Sequence, residues 1–362
     1  MSKPTSRGVR RLAAASGAAA ALTLAGLTPA LAAAGPSMTA NHGGVNISVP
    51  GPHNSLRFYW ASNGSATWHA EKVAGSGTTF SAPSMTVDGN NVNIAAQGPH
   101  HSLRFYWAVN GSSTWHAEKV AGAGTTFSAP SMTVNGNSVN ISAQGPHHSL
   151  RFWWAVNGSP TWHAETVAGS GTTYSAPSMT ANNGDVNIVA ADAARRLKFY
   201  WAVNGSATWH PETVAGAGTT FSAPSMTVNG NSVNITATGA SHRLKFYWAV
   251  NGSPTWHAET VAGGGTAYSA SSVTVNNGSV TIAVAGAKNR LRFFWAVNGS
   301  ATWHAETVAG ARTTYSAPSI TENDHSANIS AVGASQRLKF YWAADGSPTW
   351  HAETVAGPGS VR

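Results

Sequence analysis

Cysteine is absent from all 362 residues, which removes disulfides, a thiolate nucleophile and thiolate metal ligands at once. An exported chain of this length must then be held by packing alone, which a core of more than 300 residues can supply. Charge is scarce too, at 9% of residues with only 13 acids. Seven of those are one repeated position (Glu71, Glu118, Glu165, Glu212, Glu259, Glu306 and Glu353), and the others are Asp88, Asp185, Asp192, Glu322, Asp324 and Asp345. A single catalytic centre needs carboxylates that break a repeat. Among the non-repeated acids only Glu322 with Asp324 stands out, and a turn between two strands explains that pair. No G-x-S-x-G, phosphate-binding loop or cysteine nucleophile is present, so the chain reads as a non-enzyme. After residue 34 there is no apolar run long enough to span a bilayer, so no membrane span is expected in the mature protein.

Residues 1–34 are different. Lys3, Arg7, Arg10 and Arg11 precede an Ala- and Leu-rich run from Leu12 to Leu31, and Ala30-Leu31-Ala32 fits a cleavage site. That is the layout of a secretory signal peptide, which predicts a secreted, extracellular protein. Removing those four cations leaves 17 basic against 13 acidic residues, a net of +4 rather than the formal +8. Nucleic-acid binders cluster Lys and Arg on one face. A small surplus spread over a large protein gives no such signal, and no nucleic-acid partner is expected.

What the chain does have is tryptophan, in a strict rhythm. Trp60, Trp107, Trp154, Trp201, Trp248, Trp295 and Trp342 lie 47 residues apart, as do Trp68, Trp115, Trp162, Trp209, Trp256, Trp303 and Trp350. Trp153 is the fifteenth and belongs to neither series. An aromatic-rich period of about 40 to 50 residues points to a radial array of small sheets. Seven units starting near 36, 83, 130, 177, 224, 271 and 318 fill residues 36–362. The fold expected is all-β, a seven-bladed β-propeller of four-stranded antiparallel blades.

One unit shows why. Ser84–Val87 is β-prone and ends at Asp88-Gly89-Asn90, a turn signal. Val92–Ala95 alternates, and Gly98-Pro99-His100-His101 breaks it. Leu103–Val109 makes a third strand apolar on both faces, which neighbouring blades would cover. After Asn110-Gly111-Ser112, Thr114–Ala121 makes a fourth, and a Gly-Thr-Thr-Phe crossover leads on. The long crossover makes the Ser84-Met85-Thr86 type the inner strand, with Met38, Met85, Met132, Met179, Met226, Val273 and Ile320 as one rank near the hub. In this phase no terminal strand is donated; cutting blades one strand later would let the N-terminal strand complete the last blade. Loops fall on two rims. The Pro-His-His type turn varies most, from histidine-rich (Pro99-His100-His101) to arginine-rich (Lys288-Asn289-Arg290), on rigid blades of the kind that carry function in their loops.

The candidate carbohydrate-binding residues are the second tryptophan series, Trp68, Trp115, Trp162, Trp209, Trp256, Trp303 and Trp350, with the His-x-Glu that follows each. Those pairs are His69 with Glu71, His116 with Glu118, His163 with Glu165, His210 with Glu212, His257 with Glu259, His304 with Glu306, and His351 with Glu353. An indole just after a turn can stack on a sugar ring while His or Glu fixes hydroxyls, and it can equally be core. The Trp107 series reads as core. His-x-Glu puts two polar groups on one strand face, but two ligands need a third to hold a metal, and neither metal nor cofactor is assigned. The glutamate could instead pair with the basic residue of the third strand, Arg104 or its equivalents, if the hairpin loop is odd; an even loop puts them on opposite faces.

Seven Trp-rich units with N-G-S-x-T-W turns behind a signal peptide resemble the seven-bladed β-propeller lectins, the bacterial fucose-binding Photorhabdus-type and fungal Psathyrella-type among them. The resemblance covers residues 36–362 as architecture and aromatic rhythm, with no residue-by-residue sugar motif. It implies a secreted, multivalent lectin whose shallow sites bind glycans, such as fucose-like monosaccharides on cell surfaces, through avidity. The alternative is a non-catalytic propeller scaffold for a protein partner.

Overall fold

The computed structural model describes residues 34–362 except His42, Asn204, Asn298, Asp324 and His325. The expected leader, Ala34 apart, and Asp324 lie outside the described residues. The strands form seven four-stranded antiparallel sheets, each built from four consecutive strands. In the first, β1 (Ser37–Asn41), β2 (Gly44–Gly51), β3 (Ser55–Ser62) and β4 (His69–Ala74) lie side by side in that order. The second repeats this with β5 (Ser84–Asp88), β6 (Asn91–Gln97), β7 (Leu103–Val109) and β8 (His116–Ala121). The fold is an all-β, seven-bladed propeller, cut in the phase in which no strand is exchanged between the termini.

First strands of successive blades touch around the hub, where one hydrogen bond repeats seven times. Met85 N donates to Ser37 Oγ at 3.0 Å, Met132 N to Ser84 Oγ at 3.0 Å, and Met38 N closes the circle on Ser319 Oγ at 3.0 Å. One inner-strand amide in each blade is thereby satisfied by a neighbour's hydroxyl without a strand partner on that side. The hub rank of five methionines with Val273 and Ile320 is only 6–7% exposed.

The core lies between blades. Leu56 and Phe58 of blade 1 pack against Met85, Val92, Ile94 and Tyr106 of blade 2, and equivalent clusters recur around the ring. Alternation along the third strand produces this: Leu103, Phe105 and Trp107 face the next blade, while Tyr106 faces the previous one. Trp153 stands at the Tyr106 position of blade 3 and is buried in the same way. Between blades 7 and 1 the cluster also takes in Val361, 1% exposed, and Arg362 N donates to Pro50 O at 3.0 Å. The C-terminal residues thus latch onto blade 1 after the last strand has ended.

The two loop rims are as the alternation requires. Asn110 N bonds Asn90 O on one rim, and Gly124 N bonds His100 O on the other. On the second rim His100 and His101 are both left-handed (φ 54° and 60°), a mirror-image turn that side chains rarely adopt. Three crossover amides, those of Gly124, Thr125 and Thr126, bond its carbonyls and hold it. Gly98 precedes the turn because an added Cβ would meet Ser102 Oγ at 2.6 Å and Arg104 Cγ at 2.9 Å.

Candidate functional site between blades

The fourth strand starts at His116 rather than at Thr114, which leaves Trp115 outside the ladder at the end of the Asn110-Gly111-Ser112 turn. Freed from a strand partner, its ring crosses to the preceding blade. It meets Phe58 edge-on, with centroids 5.1 Å apart and planes at 65°, and donates its Nε1 proton to Glu71 Oε2 at 2.8 Å. The other oxygen of that carboxylate, Oε1, accepts from Trp60 Nε1 at 3.1 Å within blade 1. Every blade boundary repeats the arrangement. Glu165 takes Trp154 and Trp209, both at 3.0 Å, and across the closure Glu353 takes Trp342 at 3.2 Å and Trp68 at 2.8 Å.

Strand register explains the partners. Phe105 lies opposite Glu118 and Arg104 opposite Lys119, with a bulge after Leu103. Glutamate therefore shares a face with Phe105 and Trp107, and Arg104 points to the other face. The Arg–Glu pairing considered from sequence does not form. In four blades the basic residue reaches the threonine opposite it, as in Lys198 Nζ to Thr213 Oγ1 at 2.7 Å, and in blade 6 Arg292 Nε donates to the Glu306 carbonyl at 3.1 Å.

Between the indoles of adjacent blades lies an open depression. The one between blades 1 and 2 is lined by Phe58, Trp60 and Glu71 from one side, and by Trp115 with the Asn110-Gly111-Ser112 turn from the other. Equivalent depressions at four further boundaries range from 130 Å³ to 490 Å³. Each has one tryptophan of either series, a phenylalanine and the shared glutamate. Both indoles are only partly buried, so the Trp107 series, expected to be core, is half core and half wall. Of the residues singled out from sequence, the second tryptophans and the glutamates meet here, but a glutamate meets the tryptophan of the following blade. The histidines do not line the depression. His69 stacks on Trp60 at 4.0 Å, and the other six stack likewise at 4.1–4.2 Å, each exposed and covering the first indole.

Asn46 was missed by the sequence reading. It lines the depression at 4% exposure, and its Nδ2 has no hydrogen-bond partner. The same holds for Nδ2 of Asn93, Asn187 and Asn234. Buried amide protons without acceptors are costly, and four recur at this one repeated strand position. Their signal in the sequence is an asparagine kept every 47 residues in the middle of an apolar Val-Asn-Ile strand.

One boundary departs from the others. Between blades 6 and 7 the Asn46 position is Thr281, the Val92 position is Ala327, the Asn110 position is Asp345, and the inner strand carries Glu322 where other blades have Val or Ala. Thr281 Oγ1 donates to Glu322 Oε1 at 2.8 Å, and Oε2 of Glu322 is buried with no partner. Burial first, and Asp345 second, push the Glu322 carboxyl up to about 8 against the lowering effect of the Thr281 bond. Asn276 Nδ2 donates to Asp345 Oδ1 at 2.5 Å at the pocket wall. This 490 Å³ depression is also the largest of the five, as a Val to Ala change in its lining would make it.

No protein-family model and no curated protein sequence matches the chain. Solved structures do. The BP39L lectin from Burkholderia pseudomallei superposes with a TM-score of 0.80 at 15% identity, covering 91% of this chain and 99% of that one. A fucoside complex of the Aleuria aurantia lectin superposes at 0.53 and 10% identity, covering 77% and 95%. The β-propeller domain of the Trilobed protease from Pyrococcus furiosus, described as having an open velcro topology, superposes at 0.55 and 10%, covering 90% and 98%. At these identities the likeness establishes a shared fold.

Proposed function

We propose that this protein is a secreted, multivalent lectin that binds monosaccharide units of glycans in the depressions between its blades. The observation that carries the reading is the shared carboxylate. Each glutamate is oriented by two indole N–H donors from different blades and keeps lone pairs for hydroxyl protons. Beside it stand two partly exposed indole faces and, between blades 1 and 2, the Asn46 amide. Stacking face, oriented acceptor and unmet donor are what a pyranose needs, because a sugar has an apolar patch and a ring of hydroxyls that both donate and accept. Two of the lectins with this fold, those from Aleuria aurantia and SapL1, are described in complex with fucosides, so fucose-like sugars are the first candidates.

The depressions are shallow and repeated, which favours weak sites acting together through avidity rather than one reaction centre. Fixing the carboxylate with two donors in each ordinary depression also favours binding over catalysis, since glycoside hydrolysis needs a second carboxyl group across the bond. Calorimetric titration with methyl fucoside and other monosaccharides tests the proposal. Several equivalent weak sites per chain are expected, with haemagglutination inhibited by the free sugar. A chain that binds no monosaccharide on a glycan array, yet captures a protein in a manner indifferent to sugar, would overturn it.

A further inference from the structure

Charge on this ring is sorted by height. The third strand begins at the rim that carries the Pro-His-His type turns, and its basic series lies against those turns: a Cβ on Gly51 or Gly98 would sit 2.7 Å or 2.9 Å from Cγ of Arg57 or Arg104. Lys72 and Lys119 end on the same rim, their Nζ atoms 3.9 Å and 3.8 Å from the Cβ positions of Gly75 and Gly122 in the crossovers. Arg195, Arg196, Arg243, Lys288, Arg290 and Arg337 belong to the turns, and Arg312 and Arg362 to the crossover positions. All 17 lysines and arginines after residue 33 therefore gather at one rim. A single acid accompanies them, Asp192, and Arg196 neutralises it at 2.7 Å. The other described acids lie at the pockets (the seven glutamates) or beside the opposite rim (Asp88, Asp185, Glu322 and Asp345). The surplus that looked dispersed in the sequence is a polarised disc.

Aromatic rings share the basic rim. Phe80, Phe127, Tyr174, Phe221, Tyr268 and Tyr315 occupy one crossover position in six blades and are 40–52% exposed. Arg362 holds that position in the seventh. Planar groups from the turns lie over several of them: His101 on Phe127 at 4.5 Å, His148 on Tyr174 at 4.1 Å, and the Arg195 guanidinium 4.2 Å above Phe221. Seven rotationally related turns, each tied to its crossover by backbone hydrogen bonds, stand at one height and need no ordering to act together. A flat, rigid annulus of cations and half-exposed aromatics complements a flat anionic interface.

We propose that the basic rim seats on the surface of an anionic phospholipid bilayer, with the interblade pockets held away from that surface. A planar partner can engage all seven blades at once, whereas a linear polyanion crosses only an arc of them. Aromatic rings at the rim would enter the headgroup region beside the cations. The inference stands on charge and exposure alone, independently of what the pockets bind.

The test is co-sedimentation of the mature chain with vesicles of phosphatidylcholine, with and without phosphatidylglycerol. Binding is expected only to the anionic vesicles and should weaken as salt rises, because exposed charges are screened. The informative variant is Arg243→Ser with Arg290→Ser and Arg337→Ser, because blades 1 to 3 carry Ser55, Ser102 and Ser149 at that position. It should fold, keep its monosaccharide titration, and lose about 100-fold in vesicle partitioning, at about fivefold per cation. Equal binding to neutral vesicles, no binding to either, or an unchanged triple variant would overturn the proposal. So would retention on heparin or single-stranded DNA without vesicle binding, which would assign the rim to a soluble polyanion.

Discussion

Glu322 costs the fold more as pH rises, and replacing it should show how much. In the unfolded chain this carboxyl titrates near its ordinary value of 4.5, and in the folded blade burial pushes it up to about 8. The folded state therefore holds a proton that the unfolded state releases between those values, so stability falls as pH climbs through that window. At about 1.4 kcal/mol per pH unit, the penalty is near zero at pH 4, about 3 kcal/mol at pH 7 and about 5 kcal/mol at pH 9. Glu322→Gln keeps an acceptor for Thr281 Oγ1 and a neutral donor where Oε2 now has no partner, so it should abolish the titration with little change of shape. Urea unfolding of both proteins at pH 4, 7 and 9, compared pairwise, isolates this group from the histidines they share. The two should match at pH 4, and the variant should lead by an increasing margin above pH 6. A constant difference across the range would show that Glu322 does not titrate there, and the account of its burial would fail.

Three other perturbations address the blade boundaries and the closure. Trp115→Phe keeps a ring against Phe58 but removes the N–H given to Glu71, so about 1–3 kcal/mol of local stability should be lost. Sugar binding should fall by one site of the ring, read as stoichiometry in calorimetry. Ser84→Ala removes one hub acceptor and leaves the Met132 amide unpaired, at about 1 kcal/mol in denaturant unfolding. Deleting Val361 and Arg362 uncovers the blade 7 to blade 1 cluster and frees Pro50 O; a loss of about 2 kcal/mol is expected from the valine alone. Hydrogen exchange should then rise first in β1 and the last blade.

Much of the architecture was legible because it is written locally. Turns such as Asp88-Gly89-Asn90, the alternation in Val92–Ala95 and the two-faced apolar strand Leu103–Val109 each report on a few neighbouring residues. Repeating them at 47-residue steps multiplies the signal, and seven copies of four strands follow. Less of the site was legible. That tryptophan and glutamate carry it could be read from their recurrence, but His116 was grouped with Glu118 because they alternate on one face. The stack on Trp107 claims the imidazole instead. Asn46 escaped notice because an asparagine in a strand is unremarkable until its amide proves to be buried without a partner.

The chain's order alone determined a ring of seven sheets, since strand, turn and period are properties of short segments that repeat. Only the assembled ring decided that Trp115 answers Glu71, 44 residues earlier, and not Glu118, three residues later. That choice depends on where β8 begins, on the bulge that sets which face Glu118 takes, and on how closely two blades approach. That the strand and crossover cations join the arginine-rich turns at one rim was likewise not read along the chain. Arg104, Lys119 and Arg312 lie far apart in different segments, and only the up-and-down path of the strands brings them to one height.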